Sequence, residues 1–316
     1  MVDMTSVSDA LPEVGGVSAA TNGDYFTLLK PRVMLLVVFT GLAGLVAAPG
    51  SMHPVLAAVA VLAIALGAGA AGAVNMWYDR DIDAIMERTK LRPLPQGKID
   101  PSDALAFGVI VTLAAVMLMG LAVNWVAAVL LAFASVTYIF VYTIWLKRRT
   151  PQNIVIGGAS GAFPPMIGWA AATGRIDLAS VVLFLIIFFW TPPHFWALSL
   201  YRAGDYARAG VPMMSVTAGP ASTKRQMLAY TVLLLPLAIL PYFLGIAGPI
   251  YLAGATVLGV VFVLAAWAVL RDPTDRAARR MFGYSILYLF LLFGLLMLDS
   301  SHGLIARFAP LARLGL

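Results

Sequence analysis

Asn75, Asp79 and Asp83 recur at four-residue intervals in GAVNMWYDRDID, directly after a stretch, Val55 to Val74, that carries no charge. On an α-helix a step of four advances about 400°, so the three side chains share one face, roughly 6 Å apart along the axis. Oxygen ligands aligned at the edge of an apolar helix suit a hard divalent cation. A cation there would serve a phosphate-bearing substrate. These acids lie at the negative end of the helix dipole. Unneutralised they destabilise one another, and a bound cation or a nearby arginine relieves this. A solvated helix end is the competing reading, but Asp79, Asp81 and Asp83 are crowded into five residues. Asp81, two residues off the ladder, is expected to pair with Arg80 or Arg88.

A second acidic element, Tyr201-x-x-x-Asp205, stands with Arg202, Tyr206 and Arg208 at the end of another apolar run, in WTPPHFWALSLYRAGDYARAGVPM. Two acidic loops facing each other could hold a diphosphate between bridging metal ions. A diphosphate also needs positive charge beyond its metals. Lys147 and Arg148, first past an apolar run, are candidates, with Arg92 and Arg202; Arg149 reads as a membrane anchor. His194 follows Pro192-Pro193, which remove backbone donors and are expected to break the helix locally. Its neighbours Trp190, Phe195 and Trp196 suit a flat aromatic or porphyrin-like ligand, and a histidine inside a membrane is costly unless used. A packing histidine is the alternative. Asn153 is a candidate polar contact for the acceptor. Gly157, Gly158 and Gly161 read chiefly as close helix packing.

The elements that carry these residues are membrane helices. Of 316 residues 61% are hydrophobic and 11% charged, which excludes a soluble domain. With no cysteine and three histidines, thiolate and His-rich metal centres are excluded. Apolar runs at about 31–49, 54–78, 104–123, 125–146, 154–173, 179–200, 227–246, 249–270 and 282–299 predict an all-α polytopic bundle of nine transmembrane helices around a central apolar cavity. Eighteen of the 21 Lys and Arg fall in the N-terminal segment and the loops at 79–103, 147–153, 201–226 and 271–281. The positive-inside rule therefore puts those segments in the cytoplasm and the C-terminus outside, and the +6 charge reports topology, with no nucleic-acid partner. Two of these loops run to about 25 residues, and loops of that length are more often functional than decorative. Residues 1–24 read as a poorly ordered polar tail, 25–300 as the helical domain and 301–316 as a short outer tail.

The N-x-x-x-D-x-x-x-D ladder, the nine spans and the second acidic loop resemble the UbiA superfamily of intramembrane prenyltransferases. Three longer motifs, NMWYDRDIDAIMERTKLRPLPQGKI, KRRTPQNIVIGGASGAFPPMIGWAA and WTPPHFWALSLYRAGDYARAGVPMM, resemble its haem-farnesylating branch. The resemblance covers about residues 25–300. It implies Mg²⁺ held by Asn75, Asp79, Asp83 and Asp205, with farnesyl diphosphate contacted by Lys147, Arg148, Arg92 and Arg202. It implies haem b as the acceptor, near His194, Tyr201 and Asn153. It also implies a bacterial inner-membrane location, with haem A synthase or terminal-oxidase assembly proteins as partners. Many members have D-x-x-x-D in the second loop, and Tyr201 stands where the first Asp would lie. A prenyltransferase of quinone precursors and a membrane transporter are the rival readings. The transporter fits less well, because the ionisable residues gather at one membrane face.

Overall fold

The computed structural model describes residues 20–50 and 52–300, and these are almost wholly helical. Thr21 caps α1 (Asn22–Leu28) through a capping box with Asp24, so the expected polar tail ends in a helix. Its earlier part and the outer tail lie outside the described residues. α2 (Pro31–Ala47) follows at a 54° bend. Lys30, at the bend, has φ 52°, a left-handed conformation that a non-glycine residue adopts at a cost of about 1 kcal/mol or more. Pro31 disfavours the right-handed helical region at Lys30, so the chain turns there instead of continuing.

α3 (Pro54–Tyr78), α5 (Pro101–Ala122), α7 (Asn153–Thr173), α8 (Leu178–Tyr201), α11 (Gly219–Phe243), α12 (Pro249–Arg271) and α13 (Arg276–Asp299) are each long and apolar enough to cross a membrane. So is α6 (Trp125–Val136) together with the π-helical segment Thr137–Leu146 that continues it. They are eight spans among the described residues by length and composition, or nine if the bent pair α1–α2, which passes the same test only taken together, is one span. α4 (Arg80–Ile85), α9 (Ala203–Arg208) and α10 (Met214–Thr217) lie in the two long loops.

Helix starts differ from the apolar runs for local reasons. α5 begins at Pro101 because Asp100 accepts the Ser102 N–H at 2.8 Å and proline suits the first helical position. α8 runs unbroken through Pro192 and Pro193, and α7 through Pro164 and Pro165. The expected break at the proline pair is therefore absent. Neighbouring helices hold such segments in shape, as membrane bundles commonly allow.

α7 is the centre of the bundle: 72% of its apolar window is buried, against 28% for α5, α11 and α12. It touches α2 backbone to backbone. A Cβ on Gly44 would lie 2.0 Å from the Pro165 carbonyl oxygen, and one on Gly168 would lie 1.9 Å from that of Gly41. One core unites α8, α11, α12 and α13; another unites α3, α5, α6 and α7. At one end a smaller cluster joins the two long loops, packing Ile82 and Met86 against Tyr206, Ala209, Val211 and Met213.

Candidate active site

The ladder is built where α3 stops. Asp79 is both the last cap of α3 and the first of α4, yet the helical hydrogen bonds persist, from Asp79 N–H to Asn75 O and from Asp83 N–H to Asp79 O. The three side chains therefore keep one face. Asn75, Asp79 and Asp83 are all buried, whereas 60% of the Asp81 side chain is exposed.

The parallel segment at the end of the fourth span meets this face in register. Its π-helical turns, closed by Lys147 N–H to Tyr142 O at 2.9 Å, are a form concentrated at functional sites. Thr143 and Lys147, four apart, face Asn75 and Asp79, also four apart. Asn75 Nδ2 donates to Thr143 Oγ1 at 3.0 Å and to Asp79 Oδ2 at 2.7 Å. Lys147 pairs with the same Asp79 oxygen. Arg92 reaches Asp83 at 2.5 Å. Lys30 crosses from the α1–α2 bend to donate to Asn75 Oδ1 at 2.8 Å.

Asp81 does not pair with Arg80 or Arg88 as expected. Arg148 takes it in a two-pronged bond of 2.7 and 2.6 Å, which lowers the Asp81 pKa and raises that of Arg148. The physical reason is the end of the fourth span, which brings Arg148 over Tyr78 at 4.9 Å, beside Asp81; Arg80 instead binds back to the Trp77 carbonyl.

The second loop repeats the pattern. α8 ends at Tyr201, the chain breaks at Arg202, and the short α9 presents a buried Asp205. Arg208 pairs with Asp205, and Arg202 stands 3.7 Å from it. Burial raises the Tyr206 hydroxyl pKa and Arg88 of the first loop opposes that rise, while Tyr206 packs with Ile82 and Met86 to join the loops. Tyr201 lies under Arg279 at 4.5 Å and edge-on to Phe282.

Two observations bear on a cation. Asp79 Oδ1 and Asp205 Oδ2 are buried without a hydrogen bond; their nearest cations are Arg148 at 3.6 Å and Arg202 at 3.7 Å. Yet among the described residues no three His, Asp or Glu side chains come close enough to hold a metal by themselves. Such a donor set fits an ion that completes its shell with phosphate oxygens, the habit of Mg²⁺.

Asn153 has no accessible surface; its amide donates to the Lys147 carbonyl at 3.2 Å, while its Oδ1 is buried without a hydrogen bond. Gly157 lets the Tyr142 ring approach, and Gly158 does so for Thr191. His194 lies between Trp190 at 4.4 Å and Phe282 at 4.7 Å, both nearly parallel to it. Both ring faces are filled, so a flat ligand does not stack on His194. Sequence reasoning missed Lys30, Thr143, Tyr138 and Tyr142. Lys30, Tyr138 and Tyr142 are half-buried beside the ladder, with Lys30 Nζ 3.5 Å from the Tyr138 hydroxyl. The four-residue step Tyr138-x-x-x-Tyr142, like the step Thr143-x-x-x-Lys147 beside it, was the signal available.

Residues 36–295 match the UbiA prenyltransferase family. The chain belongs to that family. Among UbiA relatives, the Protoheme IX farnesyltransferase of Parvibaculum lavamentivorans is 57% identical over 299 residues, covering 93% of each chain. That of Azorhizobium caulinodans is 59% identical, covering 89% of this chain and 92% of its own. A digeranylgeranylglyceryl phosphate synthase shares the fold with a TM-score of 0.72 at 20% identity, over 87% of this chain and 96% of that one. A UbiA homologue from Archaeoglobus fulgidus, bound to GPP and Mg²⁺, does so with 0.64 at 16%, over 86% and 99%.

Proposed function

We propose that this chain transfers the farnesyl group of farnesyl diphosphate to a vinyl group of haem b, releasing pyrophosphate. The observation that carries the reading is the pair of buried carboxylates, Asp79 and Asp205, on two packed loops, each with an oxygen free of hydrogen bonds and ringed by basic side chains. The acceptor follows from relatives named Protoheme IX farnesyltransferase that are 54–59% identical along about nine-tenths of the chain.

Asn75, Asp79, Asp83 and Asp205 would hold Mg²⁺, which when bound supplies positive charge to the diphosphate and stabilises it as a leaving group. Lys147, Arg92, Arg148 and Arg202 are the diphosphate contacts. They already sit on the acids, so they exchange carboxylate for phosphate oxygens with little movement. The allylic C–O bond breaks, its electron pair leaving with pyrophosphate. The vinyl π electrons close the new C–C bond to the farnesyl cation. Water captures the resulting cation beside the porphyrin and loses a proton, giving a hydroxyethylfarnesyl group. Until that step the apolar interior of the helix bundle would shield the cation from water. The polar end faces the cytoplasm of a bacterial inner membrane, with residues 25–300 as the catalytic unit. Haem A synthase or terminal-oxidase assembly proteins are the consumers of the product.

Purified protein incubated with haem b, farnesyl diphosphate and Mg²⁺ should yield the hydroxyethylfarnesyl haem by mass spectrometry. Transfer to a hydroxybenzoate acceptor and none to haem b would replace this reading with the quinone one.

A further inference from the structure

His194 and Ser285 form a tautomer lock between α8 and α13. Ser285 Oγ lies 2.6 Å from His194 Nδ1 and also 2.6 Å from the Phe282 carbonyl oxygen. A hydroxyl has one proton to give, and a carbonyl only accepts. Both short contacts are satisfied only if Ser285 donates to Phe282 and His194 donates from Nδ1 to Ser285. Nε2 then carries the lone pair. The ring cannot escape this arrangement: Trp190 and Phe282 fill its faces, Phe195 stands edge-on at 5.1 Å, and Ser285 has no accessible surface. Trp190 Nε1 also donates to the Ser285 carbonyl at 2.9 Å, fixing the helix register.

Ser285 is the only hydrogen-bond partner of the ring among the described residues, and Nε2 is not one of the sealed polar atoms. An open imidazole lone pair in apolar surroundings is costly unless something binds it. With both faces blocked, approach is confined to the Nε2 edge, the direction from which a metal is ligated. An imidazole whose other ring N–H is hydrogen-bonded, here through Ser285 to a carbonyl, is the usual form of a histidine that ligates a metal. Imidazole is a common iron ligand in haem proteins. A general base at this place would become a buried imidazolium with no counter-ion, whereas ligation leaves the ring neutral.

We propose that His194 Nε2 is an axial ligand to the iron of the acceptor, and that Ser285 is the positioning residue that holds the tautomer. This rests on haem b being the acceptor.

The test titrates the full-length protein in lipid nanodiscs with haem b and, separately, with iron-free protoporphyrin IX, following the Soret band. Wild type should bind haem b more tightly and give an imidazole-ligated spectrum. His194→Phe, which preserves the stack, should erase that spectrum and the preference while leaving protoporphyrin affinity in place. Ser285→Ala should weaken haem binding roughly tenfold and shift the Soret band, and Ser285→Thr should restore both. An unchanged spectrum and preference in His194→Phe would overturn the proposal. So would a Ser285→Ala variant that binds and absorbs as wild type. Farnesyl transfer by the wild type, measured in parallel, separates the two readings: product formed with no iron preference removes the ligand and keeps the transferase.

Discussion

Asp79 has no accessible surface and faces Lys147, whereas Asp81, two residues on, keeps 60% of its side chain exposed and pairs with Arg148. Their loss should therefore differ. Asp79→Ala leaves a largely buried ammonium unpaired, which costs about 3 kcal/mol, and it should abolish farnesyl transfer. Asp81→Ala should cost less than about 1 kcal/mol, because its pair is exposed to water, and should keep most activity. Denaturation and product assays on the two variants check this. Arg148 lowers the Asp81 pKa below its ordinary 3.8, so the contribution of Asp81 is complete at neutral pH and disappears only as the pH falls through that lowered value. Lys30 was visible in the sequence only as one more cytoplasmic charge. Its bond to Asn75 joins it to the proposed diphosphate site, and Lys30→Met should raise the KM for farnesyl diphosphate about tenfold, the effect of one charge-assisted hydrogen bond.

At the scale of elements, the α2–α7 crossing is the least tolerant contact. Gly44→Ala or Gly168→Ala forces backbone apart from backbone and should destabilise by at least about 2 kcal/mol. Gly161→Ala, with nothing within 4 Å of its would-be Cβ, should be neutral or slightly stabilising; thermal unfolding of the three variants decides. The start of α13 carries a pH signature. Asp272 accepts the N–H groups of Ala277 and Thr274, which with the Thr274 hydroxyl hold its pKa down to about 2. A depressed carboxylate stabilises above its unfolded pKa and loses that contribution as the pH falls through the folded one. The Tm difference between wild type and Asp272→Ala should therefore be constant above about pH 4 and vanish toward pH 2. The π-helical segment had no sequence signature. Its four-residue steps of Tyr, Thr and Lys mark a polar face but fit an ordinary α-helix equally well, and the wider turn shows only in the structure.

For the whole molecule, orientation is the open quantity that charge alone addresses. The chain has no cysteine, so each introduced one is a single reporter. Gln96→Cys, exposed at the polar end, should react with an impermeant maleimide only from the cytoplasmic side, and Arg175→Cys, exposed at the other, only from outside. The reverse pattern would invert the proposed topology and place the diphosphate site on the wrong side for a cytoplasmic substrate.

Eight of the nine expected spans, their bounds to within a few residues except at the polar ends of α11 and α13, and the one-faced ladder were legible in the sequence; the first span is a helix pair bent by 54°. Hydrophobic run length and a four-residue step are properties of a single helix. The partners of the ladder were not legible. That Asp81 meets Arg148, that Lys30 reaches Asn75, and that His194 is closed on both faces by Trp190 and Phe282 depend on which helices touch and at what register. The double proline in α8 misled for the same reason: it weakens a lone helix, but in the bundle α8 stays one continuous helix packed between α7 and α13. Periodicity states which way a side chain faces within its own helix. Only the packing of one helix on another states what it faces.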